Sequence, residues 1–132
     1  MSTISITTTG EILYKTGCKI SVITVSTILY IEYLYEQCTL VLVNGVKNIL
    51  CCQLKDLLAL LPGNFVLVNR NQIINTLYVL IINKSKVELQ NNTFIRVSVR
   101  KRRLLLKKLF PKSKNAENTF TIMNTYSRKM NA

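Results

Sequence analysis

The chain has 132 residues, a formal net charge of +12 and 48% hydrophobic side chains, enough apolar material for one domain with a core and too much for a disordered chain. No apolar run reaches the roughly 18 residues that a membrane-crossing helix needs. The first residues lack the early positive charge and apolar block of a secretory signal, so a cytoplasmic protein that is not membrane-embedded is expected.

Residues 1–10 are rich in Ser and Thr and read as a loose leader. From Glu11 the text has β character. Short strands are expected over 11–15 and 19–24, around a turn at Thr16 and Gly17. Residues 28–34, ILYIEYL, are dense in β-branched and aromatic side chains and predict a strand. Another is expected over 39–43, with Asn44 and Gly45 marking a tight hairpin into 47–51. The period then changes: in QLKDLLALL, the apolar positions 54, 57, 58 and 61 follow helical spacing, and Pro62 and Gly63 stop the helix. Strands return over 65–68, 78–83, 86–90 and 93–97, joined by turns at 84–85 and 91–92. A second helix begins at Val99 and is ended by Pro111. Residues 112–132 are polar and read as a mobile tail, with a weak β tendency over 119–123. Many short strands around one central helix argue for small antiparallel sheets, not a parallel α/β sheet.

Enzyme chemistry finds no support. The chain has no His, so the usual general base is absent. Ser98 has no evident base or orienting partner, and no glycine-rich phosphate loop occurs. Glu32 and Glu36 share a strand face, but two surface carboxylates near a turn are the ordinary reading. The four cysteines, at 18, 38, 51 and 52, contain no C-x-x-C spacing. Free thiols are expected in place of a zinc site or a disulfide framework, and no cofactor or small-molecule substrate is implied.

The charge is concentrated. Residues 96–114 hold nine Lys or Arg and no acid, whereas residues 1–95 carry seven basic and five acidic side chains. So local an excess is a patch aimed at something negative. On a helix from Val99, Leu105, Leu106, Leu109 and Phe110 share one side, and Arg100, Lys101, Arg103, Lys107 and Lys108 the other. Arg102 and Leu104 break the pattern. A solvated basic tail is the bland alternative; a helix docked by its apolar edge presents fixed charges instead. A second stretch, PGNFVLVNRNQIIN over 62–75, sets Asn69, Arg70, Asn71 and Gln72 between apolar anchors. Arg suits guanine edges and Asn or Gln suits adenine, although an ordinary polar turn between strands would read the same way.

In four places the chain resembles the LytTR-type DNA-binding domain, the output module of bacterial response regulators. ILYIE at 28–32 is similar to the family's D-I-L-Y-I-E strand, with Thr27 where Asp is usual. QLKDLLALLP at 53–62 is similar to its S-L-x-E-L-E-x-x-L-P helix, FVLVNRNQIIN at 65–75 to F-x-R-V-H-R-S-Y-I-V-N, and VSVRKRRL at 97–104 to V-S-R-R-Y-x-x-x-L. The resemblance covers about residues 11–109. Leu67, Asn69, Asn71 and Val99 depart from the usual Arg, His, Ser and Arg, which puts base preference in doubt more than fold.

The resemblance implies a mainly β, elongated β-β-β fold of small stacked antiparallel sheets, with one short central helix and a short C-terminal helix. It implies sequence-specific binding of double-stranded DNA by a bacterial transcription regulator that reaches repeated half-sites through loops in the major groove. Carried over by position, Asn69, Arg70 and Asn71 lie in one contacting loop, Arg100 beside Ser98 in a second, and Gln37 in a third, at the turn over 36–38. Lys101, Arg103, Lys107 and Lys108 then meet phosphates, and Ser98 donates to one. With about ten residues ahead of the resemblance, no receiver domain is expected. A stand-alone regulator, or the output half of a split one, would take its control from a partner protein, its expression level or self-association, with at best a weak homodimer off DNA. Two rivals remain open: an RNA or single-strand binder using Tyr14, Tyr30, Tyr33 and Tyr35 as stacking platforms, although strand packing comes first for these residues, and a basic module for a membrane surface or acidic partner, using the last helix.

Overall fold

The computed structural model of the protein describes residues 2–110. Its first sheet is a meander of β1 (Ser2–Ile6), β2 (Glu11–Thr16) and β3 (Lys19–Thr24). The loose leader expected over residues 1–10 is therefore corrected: β1 pairs with β2 from Ser2↔Thr16 to Ile6↔Ile12. Ile4 and Ile6 alternate with Ser and Thr and pack against the core, and a period of two with β-branched residues satisfies a strand as well as a composition rich in Ser and Thr suggests a loop. Gly10, at φ 89°, makes the turn into β2, where any other residue would be strained.

The middle sheet has five antiparallel strands in the order β6-β5-β4-β8-β7. They are β4 (Ile28–Leu34), β5 (Gln37–Leu42), β6 (Lys47–Leu50), β7 (Phe65–Asn69) and β8 (Gln72–Asn75). Helix α1 (Leu54–Leu60) joins β6 to β7, at the helical spacing read from QLKDLLALL. The third sheet, of β9 (Val79–Ile82), β10 (Lys86–Leu89) and β11 (Thr93–Arg96), leads into α2 (Val99–Leu109). The tail expected over 111–132, with Pro111 as helix stop, lies outside the described residues.

The middle sheet is shared by two cores. On one face Ile28, Ile31, Leu40, Phe65 and Ile73 pack against Ile12, Ile23 and the Leu54 and Leu57 side chains of α1. On the other, Leu29, Val68 and Ile74 pack against Val79, Ile82, Val87, Leu89, Ile95 and the Leu105 and Leu106 side chains of α2. Consecutive side chains of a strand point to opposite faces. β4 breaks this rule between Ile28 and Tyr30, where the register with β5 shifts. That bulge lets Leu29 and Tyr30 both serve the second core.

Strand β8 was not foreseen, because its four residues, QIIN, hold only two apolar side chains. Its pairing on both edges decides it: Tyr30↔Ile74 with β4 and Val66↔Ile74 with β7. Asn75 at its end is fully buried, with both polar atoms of its side chain hydrogen-bonded. Its Nδ2 donates to the Ile28 carbonyl at 2.8 Å, and its Oδ1 accepts from Asn64 Nδ2 at 2.8 Å and the Leu77 amide at 3.0 Å.

Candidate nucleic-acid interface

Three segments meet at one end of the middle sheet. The first is the hairpin turn between β4 and β5. Tyr35 and Glu36 carry positive φ angles, 52° and 62°, the geometry that matches the right-handed twist of flanking strands. The turn therefore falls one residue earlier than the expected 36–38. Gln37 and Cys38 are the first residues of β5, and their side chains alternate: Gln37 is exposed and Cys38 is buried. The Gln37 Nε2 donates weakly to Cys51 Sγ, at 3.8 Å.

The second segment is the two-residue turn of Arg70 and Asn71 between β7 and β8. Asn69 organises it. Its Oδ1 accepts from the Asn71 amide at 2.9 Å, and its Nδ2 donates to Gln72 Oε1 at 2.7 Å and to the Arg96 carbonyl at 3.0 Å. The Asn71 carbonyl accepts from the Tyr33 amide at 2.7 Å, which clips the turn against β4. Gln72 Nε2 in turn donates to Glu32 Oε2 at 3.1 Å. A polar chain thus runs from Glu32 through Gln72 and Asn69 to the last residue of β11.

The third segment follows directly. Ser98 caps α2, its Oγ accepting from the Lys101 amide at 3.2 Å, and the first turn of the helix holds no acid. The cap starts the helix at Val99, so Arg100 sits in its first turn and not in a loop. The apolar side foreseen for this helix is the buried one: Leu105 and Leu106 are in the second core, with Leu109 and Phe110 packed against it. Arg100, Arg103 and Lys107 recur at i, i+3 and i+7, along a stripe facing away from that core. Arg100, Arg103, Lys107 and Lys108 are exposed and Lys101 is half-buried.

The side chains of Arg70, Arg100, Lys101, Arg103, Lys107 and Lys108 form no hydrogen bond or ion pair with other described residues. Their charge is not neutralised within residues 2–110, so it is available to an anion. Arg102, which broke the sequence pattern, has a different place: it is half-buried, and its Nε donates to the Asn83 carbonyl at 3.0 Å, tying α2 to the turn between β9 and β10.

Asn69, Arg70, Asn71, Ser98 and Arg100 are brought together, because Asn69 reaches Arg96, two residues before Ser98, and α2 lies against β7. Gln37 joins them through the neighbouring turn of Tyr35 and Glu36. Lys107 and Lys108 lie in the last turn of α2, about 10 Å along the axis from Arg100 at 1.5 Å per residue. Sequence reasoning named Gln72 and Glu32 separately but missed the link between them, whose signal is the pairing Glu32↔Gln72, set by the strand β8.

The sequence pattern of the LytTr DNA-binding domain family matches residues 18–110. The chain belongs to this family. The match starts at Cys18, later than the expected residue 11, so β1 and β2 lie outside the matched segment. Among solved structures, a LytTr DNA-binding domain from Bacillus cereus is similar in fold, with a TM-score of 0.65 and 18% identity over 76% of this chain and 97% of that one. No curated protein sequence matches. This LytTR domain is mainly β, with several small antiparallel sheets and two helices. Its family is a DNA-binding one, used as an output domain of response regulators. Among the described residues no cluster of three His, Cys, Asp or Glu side chains is placed to hold a metal, and no helix is long and apolar enough to cross a membrane.

Proposed function

We propose that this LytTR domain binds duplex DNA sequence-specifically, as part of a transcription regulator, through the end of the middle sheet where its three segments meet. The observation that carries the reading is the bond from Asn69 Nδ2 to the Arg96 carbonyl. It holds two arginines without partners among the described residues, Arg70 and Arg100, on segments that one ligand can reach together. Arg70, Arg100, Asn71 and Gln37 choose the bases. Lys101, Arg103, Lys107 and Lys108 contact phosphates and give affinity without sequence choice, and the Ser98 hydroxyl keeps its proton free to donate to another.

One role differs from the positional expectation. A bidentate contact with adenine uses one amide N–H and the amide oxygen. Both N–H groups of Asn69 are already committed, to Gln72 and Arg96. Asn69 therefore positions the Arg70 turn and does not read a base itself. Two copies on repeated half-sites account for specificity beyond what one small interface supplies, with a regulatory partner protein acting on that pairing.

The rivals have less support. Helix α2 spends its apolar face on the second core, so little remains to enter a membrane surface. Tyr14 is buried and Tyr30 and Tyr33 pack against the two cores, which leaves Tyr35, 86% exposed, as the one stacking platform among the early tyrosines. The experiment is selection of bound duplexes from a random pool. Recovery of a repeated motif supports the reading; equal binding of duplex and single strands, with no motif, refutes it.

A further inference from the structure

Cys38 and Cys52 meet at the first core, on side chains to which the reading above gives no role. Cys38, in β5, is completely buried. Cys52, in the bend between β6 and α1, is half-buried and packs against the same core. The Cys38 Sγ donates to the Cys52 carbonyl at 3.4 Å, which sets the two side chains beside one another. Cys52 also lines an open cleft of about 320 Å³, with Ile4, Cys51, Asp56, Leu57 and Leu60. One sulfur of the pair thus has a route to solvent, and its partner lies directly behind it.

Burial and accessibility make the two sulfurs unequal. Interaction with the Cys52 side chain, with burial added, pushes the Cys38 thiol far above the ordinary range. The Cys38 side chain draws the Cys52 thiol below it, against the opposing effects of burial and of Asp56. A thiolate is the reactive form of cysteine, so the accessible member is the nucleophile and the buried member keeps its proton. Neither other cysteine has this arrangement. Cys18 is exposed in the turn between β2 and β3. Cys51 is exposed, with its amide held by the Tyr14 hydroxyl at 3.0 Å and its sulfur under Gln37 Nε2.

We propose that Cys52 and Cys38 are a peroxide-sensitive modification site, in which Cys52 is oxidised first and Cys38 resolves it to an intramolecular disulfide. In the first step the Cys52 thiolate attacks one peroxide oxygen and the O–O bond breaks. Cys52 becomes a sulfenic acid, and the departing hydroxide with the proton lost from Cys52 makes one water. In the second step the Cys38 sulfur attacks the Cys52 sulfur. The S–S bond forms, the S–O bond breaks, and the leaving hydroxide takes the Cys38 proton as a second water. Each sulfur loses one electron and the peroxide gains two. The disulfide requires the two sulfurs to close to about 2 Å.

This inference does not depend on the DNA reading, and its test does not use DNA. The reduced full-length protein is treated with hydrogen peroxide, quenched with catalase, alkylated, and mapped by mass spectrometry without reduction. The expected product has lost two hydrogen atoms, carries alkyl groups on Cys18 and Cys51, and yields one crosslinked peptide pair joining Cys38 to Cys52 that dithiothreitol separates. In Cys38→Ser the sulfenic acid on Cys52 persists and is trapped by dimedone; in Cys52→Ser no crosslink forms and Cys38 stays reduced. The proposal is overturned if Cys18 or Cys51 oxidises while the pair stays reduced, or if the crosslink joins any other two cysteines. Both outcomes are read on the unsubstituted protein, so they stand even if a variant fails to fold.

Discussion

The side-chain amide of Asn69 donates to the main-chain carbonyl of Arg96 at 3.0 Å, across the boundary between the middle and third sheets. The residues are 27 positions apart, and each is followed within a few residues by an exposed arginine. This bond, with the Gln72 and Glu32 links behind it, converts two separate turns into one surface. Asn69→Ala removes both donations and the cap on Asn71. It is expected to lower stability by about 1–2 kcal/mol in urea unfolding and to weaken binding to a selected duplex. Asn69→Asp keeps only the acceptor, so it retains the turn and loses the tie. Full binding by Asn69→Ala would show that the turn needs no such anchor.

Arg70 and Arg100 are exposed, so their removal leaves folding unchanged. Each Ala substitution is expected to cost on the order of 1–3 kcal/mol on the selected site and to relax preference at a few base positions. Competition gel shifts with single-base variants of the site measure both effects. Unchanged affinity for either variant would remove that residue from the interface.

Lys107 and Arg102 separate affinity from architecture on one helix. Lys107→Ala weakens all duplexes about equally and reduces the salt slope by about 1. Arg102→Ala loses its bond to the Asn83 carbonyl and is expected to cost about 1 kcal/mol of stability, read as a shift in the unfolding midpoint. Reversal of these two behaviours would mean that the buried and exposed faces of α2 are wrongly assigned.

Asn75→Ala is expected to be the most damaging polar substitution in the middle sheet. It leaves the Ile28 carbonyl, the Leu77 amide and Asn64 Nδ2 without their partner. The cost is on the order of 2–4 kcal/mol, because unsatisfied buried groups lose their hydration without compensation. A change below about 0.5 kcal/mol in chemical denaturation would mean that water replaces the side chain at no penalty.

Thiol titration gives a pH signature. The neighbouring Cys38 side chain lowers the Cys52 thiol, so its thiolate appears at a lower pH than that of an ordinary cysteine. The rate of iodoacetamide alkylation of Cys52, followed by peptide mass spectrometry, is expected to rise at lower pH in the unsubstituted protein than in Cys38→Ala. Coincident profiles for Cys52 in the two proteins would contradict an effect of Cys38 on Cys52.

Much of this fold is written in local patterns. The hydrophobic period of α2, the strand ILYIEYL and the short helix of QLKDLLALL each follow from the geometry of a few consecutive residues, and such geometry is visible in one dimension. So are the concentration of charge in residues 96–114 and the family resemblance. What needed three dimensions are the features whose partners lie far along the chain. Ser2–Ile6 is a strand because β2 lies beside it, and Gln72–Asn75 because β4 and β7 flank it on both edges. Asn69 is a natural base reader by its chemistry, yet packing commits its donors to Gln72 and Arg96. Cys38 and Cys52 are 14 residues apart, and the pairing of β5 with β6 brings the Cys38 sulfur to the Cys52 carbonyl. A residue's type limits which bonds it can make; the register of strands distant in sequence decides which of them it does make.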